Sequence, residues 1–210
     1  MPRWTPYAAA VGFVVQQTGW IQTQLVDRPI THLREGQKIG KLHTLHFEQV
    51  SDAQSLSSRV TATKLLVKLH ASEQHMDSDV QKRTRTAAIR ALRKETMQLL
   101  RPRIEQLAKQ HGFTYSSLGA KELKRRWGSC DSHKNITINL YLMQLDWSEI
   151  DYVLCHELTH TEHMHHGPDF WQRLTGIMPN APTIAKKVRH TEPSLVPSQS
   201  TTAFEDDMAY

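Results

Sequence analysis

The sequence predicts an α+β fold, and three observations carry that expectation. Leu65, Val67 and Leu69 alternate with Leu66 and Lys68, and Ile136-Thr137-Ile138-Asn139-Leu140 alternates again, the period of strands with one face on a core. Between them Ala87, Ala88, Ala91, Leu92, Leu99, Leu100, Ile104, Leu107 and Ala108 recur at near-helical spacing among Arg and Lys. Downstream, Ile150, Val153, Leu154 and Leu158 give a second, shorter segment an apolar helical face.

Taken in order, residues 1–30 read weakly as a helix around Ala8–Leu25. Residues 31–70 read as β, with turn signals at Glu35-Gly36-Gln37 and Gly40 and strand-like composition over Lys41–Val50 and Ser58–His70. Ala71–Asp79 is a polar connection to a helix over about Asp79–Gln110, which Pro102 kinks or restarts and Gly112 stops. Tyr115–Ala120 and Leu123–Cys130 are short strands, and a polar turn at Asp131–Asn135 makes 124–140 a hairpin in a small antiparallel sheet. Ser148 and Asp151 form a capping pair opening a helix at about Glu149. Pro168 suits the first turn of a helix over Asp169–Met178, stopped by Pro179 and Pro182. From Thr191 the chain is rich in Ser, Thr and Pro with an acidic end, which predicts a mobile tail. The expected organisation is an N-terminal β-rich segment, a partial lobe, over 1–78, a main domain over 79–190 and a tail over 191–210.

Composition excludes several classes. With 210 residues, 39% apolar and 22% charged, the chain can bury a core and is no disordered polymer. The longest apolar run, Tyr7–Val15, falls short of the roughly 18 to 20 residues of a membrane span. No small-residue cleavage pattern follows it, so no secretory signal is expected. Two cysteines, Cys130 and Cys155, make no disulfide framework, which predicts a reducing, cytoplasmic setting. The net charge of +5 is uneven: residues 82–126 hold 13 of the 26 Lys and Arg against Glu95, Glu105 and Glu122. That segment permits a nucleic-acid partner without identifying one.

Histidine is the informative residue. Five of 13 lie within 156–166. His156-Glu157-Leu158-Thr159-His160 is an H-E-x-x-H sequence, which on a helix sets two imidazoles on one face to share a tetrahedral zinc. Glu157, one residue past the first ligand, is placed to take a proton from water at the fourth position. Catalytic zinc needs a third protein ligand. After Glu162 only Glu192 and Glu205 remain as acids of the Glu type, so His166 is the choice, with His163 and His165 as alternatives.

Arg126-Trp127-Gly128-Ser129-Cys130, Ile138-Asn139, Tyr152-Val153-Leu154-Cys155-His156-Glu157-Leu158-Thr159-His160, His166 and Phe170-Trp171 together resemble the YgjP-like metallopeptidases, zincins related to the SprT-like and WLM groups. The resemblance is close over about 120–175 and loose over 36–112. Its pattern has Asn where this chain has His165 and Ser where it has Gly167. It implies a zincin-like metallopeptidase fold with Zn2+ on His156, His160 and His166, Glu157 as catalytic base, and a peptide or protein substrate. Two alternatives accompany it: a zinc-dependent nucleotide pyrophosphatase, and a DNA-associated protease module of the SprT type using the basic segment. Arg126-Trp127-Gly128-Ser129-Cys130 reads either as an edge-strand wall of the cleft, with Arg126 near the bound carbonyl, or as packing, with Trp127 in the core and Gly128 permitting close backbone approach, and Trp171 is expected in the core.

Overall fold

The computed structural model describes Thr18, residues 32–51 and residues 57–195. The predicted helix around Ala8–Leu25 and most of the predicted tail lie outside them. From Leu33 on, the described residues belong to one compact unit of α+β architecture.

Two three-stranded sheets flank one long helix. The first contains β1 (Thr44–Val50), β2 (Ser58–Val60) and β3 (Lys64–His70) in the order β1-β3-β2. β3 is central, parallel to β1 in the register Leu45 to Leu65 and antiparallel to β2. Its alternation is as read: Leu65, Val67 and Leu69 are buried. The predicted continuous strand over 58–70 is broken at Thr61–Thr63, where a turn lets β2 fold back on β3.

Helix α1 (Ser78–His111) follows. It does not restart at Pro102, which lies on the exposed face, where the carbonyl left without an N–H donor is open to water. Gly112 ends the helix at φ 76°, the left-handed conformation a side chain would strain, and its N–H bonds to Ala108 O. The buried stripe from Val80 to Ala108 packs on both sheets.

The second sheet holds β4 (Ser117–Lys121), β5 (Gly128–Cys130) and β6 (Asn135–Asn139) in the order β4-β6-β5. The β5–β6 hairpin is antiparallel as expected, turning through Asp131–Lys134. The sheet is nevertheless mixed, because β4 runs parallel to β6. Residues 122–127 carry the chain back across the end of β6, so β5 starts on the far side; β5 is also shorter than the strand expected from Leu123.

A 3-10 turn (Leu140–Gln144) leads into α2 (Trp147–His160). Its cap is Asp146, whose N–H bonds to the Glu149 carboxylate at 2.8 Å, two residues before the predicted Ser148 start. Asp151 instead binds the Arg103 guanidinium at 2.8 and 2.5 Å, fastening α2 to α1. Helix α3 (Pro168–Ile177) begins with Pro168 in its first turn as predicted. Pro182 does not stop it but lies in the first turn of a further helix, α4 (Ala181–Arg189). No helix among the described residues is long and apolar enough to cross a membrane.

Candidate metal centre and cleft

Helix α2 is buried along nearly its whole second half, so its polar residues face protein or a cleft rather than bulk water. His156 and His160, one turn apart, lie with Nε2 atoms 3.1 Å from each other. The chain then turns through 161–167, and α3 starts just beyond, setting His166 Nε2 3.0 Å from His156 Nε2. The three ligand nitrogens all lie within 4.8 Å of one another.

Each ring is held differently. His160 Nδ1 faces the His163 carbonyl at 3.1 Å. A carbonyl only accepts, so Nδ1 carries the proton and Nε2 offers its lone pair to the cluster. His156 Nδ1 lies 3.4 Å from the Tyr152 hydroxyl, one turn back on α2. His166 Nδ1 is buried with no hydrogen-bond partner among the described residues. Phe170 packs against all three rings, with centroids 4.7 to 4.9 Å away. Burial pushes His156 well below the ordinary imidazole range, with its two neighbours adding to the effect. Burial takes His160 down to about 4, against the His163 carbonyl bond, and lowers His166 as well. Neutral imidazoles with converging lone pairs are the protonation state a metal takes.

These residues fit a zinc ion. Tetrahedral geometry at about 2.0–2.1 Å from zinc to nitrogen sets ligand nitrogens roughly 3.3 Å apart, close to the spacing seen. Lone pairs packed this closely repel unless a proton or cation lies among them, and Glu157 adds a buried Oε2 with no partner. Glu157 is 4% exposed, and burial pushes its carboxyl up to about 8, opposed by the positive charge of Arg126.

A cleft of about 420 Å³ opens over the cluster. One wall is β5 and the start of the next turn, with Arg126, Gly128, Ser129, Cys130 and Asp131; the other is Met164, His165 and His166. β5 pairs only with β6 among the described strands and forms that edge of the sheet. Burial raises the Cys130 thiol to about 11 and the Cys155 thiol to about 11, so both stay protonated at neutral pH.

All four residues expected at the site come together: His156, His160 and His166 in the cluster, Glu157 beside it. His165 lines the cleft, and the His163 backbone rather than its ring supports His160. Arg126 is exposed at the cleft edge. Trp127 is buried with Nε1 donating to Val188 O at 3.3 Å, as expected of core. Trp171 is only half-buried; Phe170 beneath it does the pinning. Sequence reasoning missed Tyr152 and Phe170 as supports. Tyr152 was findable, four residues before His156 on the same helix face; Phe170 depends on how 161–167 turns, which no spacing fixes.

The chain matches the YgjP-like metallopeptidase domain family over residues 1–191. No match was found among curated protein sequences. Among solved structures, the metallopeptidase zymogen abylysin of Pyrococcus abyssi aligns at 23% identity and a TM-score of 0.37, covering 40% of this chain and 87% of its own. The zymogen jannalysin of Methanocaldococcus jannaschii aligns at 21% identity and a TM-score of 0.36, covering 40% and 88%.

Proposed function

Because the chain belongs to the YgjP-like metallopeptidase family, we propose that it is a zinc-dependent peptidase in which Glu157 activates the attacking water. The observation that carries the reading is the meeting of three neutral imidazoles and one partnerless buried carboxylate oxygen at the floor of a cleft. Zinc, held by His156, His160 and His166, supplies a Lewis acid for the scissile carbonyl and lowers the pKa of water bound to it.

The chain's own groups supply the rest. Glu157 Oε2 accepts the proton of the attacking water and returns it to the leaving amine. Burial raises the proton affinity of this carboxyl, and a cation among the imidazoles would draw it back toward the ionised form that accepts the proton. Tyr152 and the His163 carbonyl fix the orientation of two imidazoles, and Phe170 closes the space behind all three. An extended peptide is accepted by backbone pairing along the edge of β5 that no described strand covers, the mode open to an edge strand. Arg126, at the end of that wall, offers a guanidinium donor for the carbonyl oxygen as it gains charge.

The test is Glu157→Gln. It keeps the shape of the side chain and leaves all three imidazoles. The expected result is one zinc per chain by metal analysis with hydrolysis of a quenched fluorogenic peptide pool lowered about 1,000-fold. Undiminished hydrolysis overturns the role of Glu157. A wild-type protein that releases nucleoside monophosphate from nucleoside triphosphates and cuts no peptide replaces the peptidase reading with the pyrophosphatase one.

A further inference from the structure

We propose that Gly128 is a positioning residue for the reaction: the absence of a side chain at 128 makes the seat that holds the Glu157 carboxylate against the three-histidine cluster. The proposal rests on the reading of Glu157 as the base.

Strand β5 crosses α2 at close range. A Cβ placed on Gly128 would stand 2.5 Å from Glu157 Oε1 and 2.8 Å from both its Cδ and Cγ. Real carbon atoms do not approach that closely, and the obstruction runs from the terminal oxygen back along the side chain to Cγ. Both partners are held by their surroundings. Glu157 is 4% exposed and follows His156 on a helix whose second half is buried. On the other side, Trp127 is anchored in the core through Val188 O, and Gly128 is in register with Ile138 on β6. The reason for glycine here is therefore space and not backbone freedom, since no positive φ is recorded at 128.

The same sheet supplies a control. At Gly119 on β4 an added Cβ meets nothing nearer than Thr137 Oγ1 at 3.8 Å, an ordinary contact. One glycine of the sheet is replaceable, and the one beside the carboxylate is not. The flat wall at 128 lies against Oε1, Cδ and Cγ, and the other carboxylate oxygen, Oε2, is the one with no hydrogen-bond partner among the described residues. Packing on the Oε1 side confines the group by shape alone and leaves Oε2 open.

The experiment compares the metal-free unfolding, in EDTA, of wild type, Gly128→Ala, Glu157→Ala, the double variant Gly128→Ala/Glu157→Ala, and Gly119→Ala. Gly128→Ala lowers the melting temperature by about 5 °C when Glu157 is present, the cost of overpacking a closed site. The same substitution in the Glu157→Ala background, where the obstructing atoms are gone, leaves it nearly unchanged. Gly119→Ala changes it little. If Gly128→Ala fails to fold while the double variant folds, the coupling is present in stronger form; equal losses in both backgrounds, or failure of both to fold, overturn the seat.

A second arm separates seating from mere structure. Gly128→Ala that folds still binds one zinc, and its kcat on a single peptide chosen from the pool falls about 100-fold with KM little changed, as expected of a displaced reacting group. A loss confined to KM overturns the proposal, because it assigns Gly128 to peptide binding along β5. A wild type without peptide hydrolysis overturns the proposed function instead, and the unfolding comparison then decides the seat alone.

Discussion

Two of the buried glutamates, Glu95 and Glu157, each lie beside a sheet of the same topology and each face a glycine, and they are treated in opposite ways. Glu95 on α1 is fully buried, and its carboxylate accepts the backbone N–H groups of Lys41 at 2.7 Å, Leu42 at 3.1 Å and His43 at 2.8 Å. It also meets His43 Nδ1 at 2.5 Å, while His43 Nε2 donates to Thr61 O at 3.0 Å. A Cβ at Gly40 would overlap Glu95 Oε2 and stand 2.9 Å from Cδ. Glu157 has the same burial and the same glycine wall, yet one oxygen has no partner. Saturation with donors makes the first carboxylate a clamp between the 40–43 loop and the long helix. An oxygen left in reserve makes the second a reagent.

Removing each carboxylate tests the contrast most severely. Glu95→Ala strands three backbone N–H groups and a histidine in the interior and lowers stability by about 3–5 kcal/mol. Glu157→Ala strands nothing and removes a buried carboxyl with an unmet oxygen, so urea unfolding shows a loss under about 1 kcal/mol, or a gain. Equal losses at the two positions would break the comparison.

The next effect is one of pH, read on metal-free protein in EDTA. The Glu157 carboxyl is raised from an ordinary 4.5 to about 8 by burial. Below 4.5 both folded and unfolded chains hold the proton, and its contribution to stability is complete. Between 4.5 and 8 only the unfolded chain ionises, so rising pH favours unfolding, and the contribution is lost by the time the folded group titrates. The three imidazoles act in the opposite sense: their pKa values are depressed, so their contribution is present above about 6.5 and is lost as pH falls. The difference between wild type and Glu157→Gln isolates the carboxyl and falls by a few kcal/mol across that window. A flat difference would mean that Glu157 is solvated, and the distinction from Glu95 would lose its physical basis.

The sequence carried most of the second region and little of the first. His156, Glu157 and His160 were legible because helix period alone sets their geometry, and β3, α1 and β6 were legible because each has a continuous apolar pattern. The cap of α2 was misplaced because Ser148 and Asp151 have the right chemistry, while the true pair, Asp146 and Glu149, differs only in register. The parallel pairing of β4 with β6 was hidden because strand direction depends on the path of 122–127, which has no pattern of its own. Glu95 looked like one acid in a basic helix. Its partners lie more than 50 residues earlier in a loop, and no local spacing announces a contact of that kind.

The smallest effect separates the three histidines from one another. His160 is supported by a main-chain carbonyl, which side-chain substitution leaves in place. Among the described residues His166 Nδ1 has no hydrogen-bond partner. His156 lies between these cases, held by the hydroxyl of Tyr152 at 3.4 Å, a long bond. Burial pushes that phenol up to about 12, so it keeps its proton and offers its oxygen lone pair to the Nδ1–H of a zinc-bound His156. Tyr152→Phe removes the acceptor and nothing else, since the ring stays packed against His156. Competition with a chelator should show zinc affinity lower by about tenfold, the low end for loss of a partner behind a ligand, with the fold's melting temperature in EDTA scarcely moved. A loss as large as that from His166→Ala would mean that the hydroxyl holds the site together rather than orienting one ring. No loss would leave Phe170, which touches all three imidazoles, as the group that fixes His156.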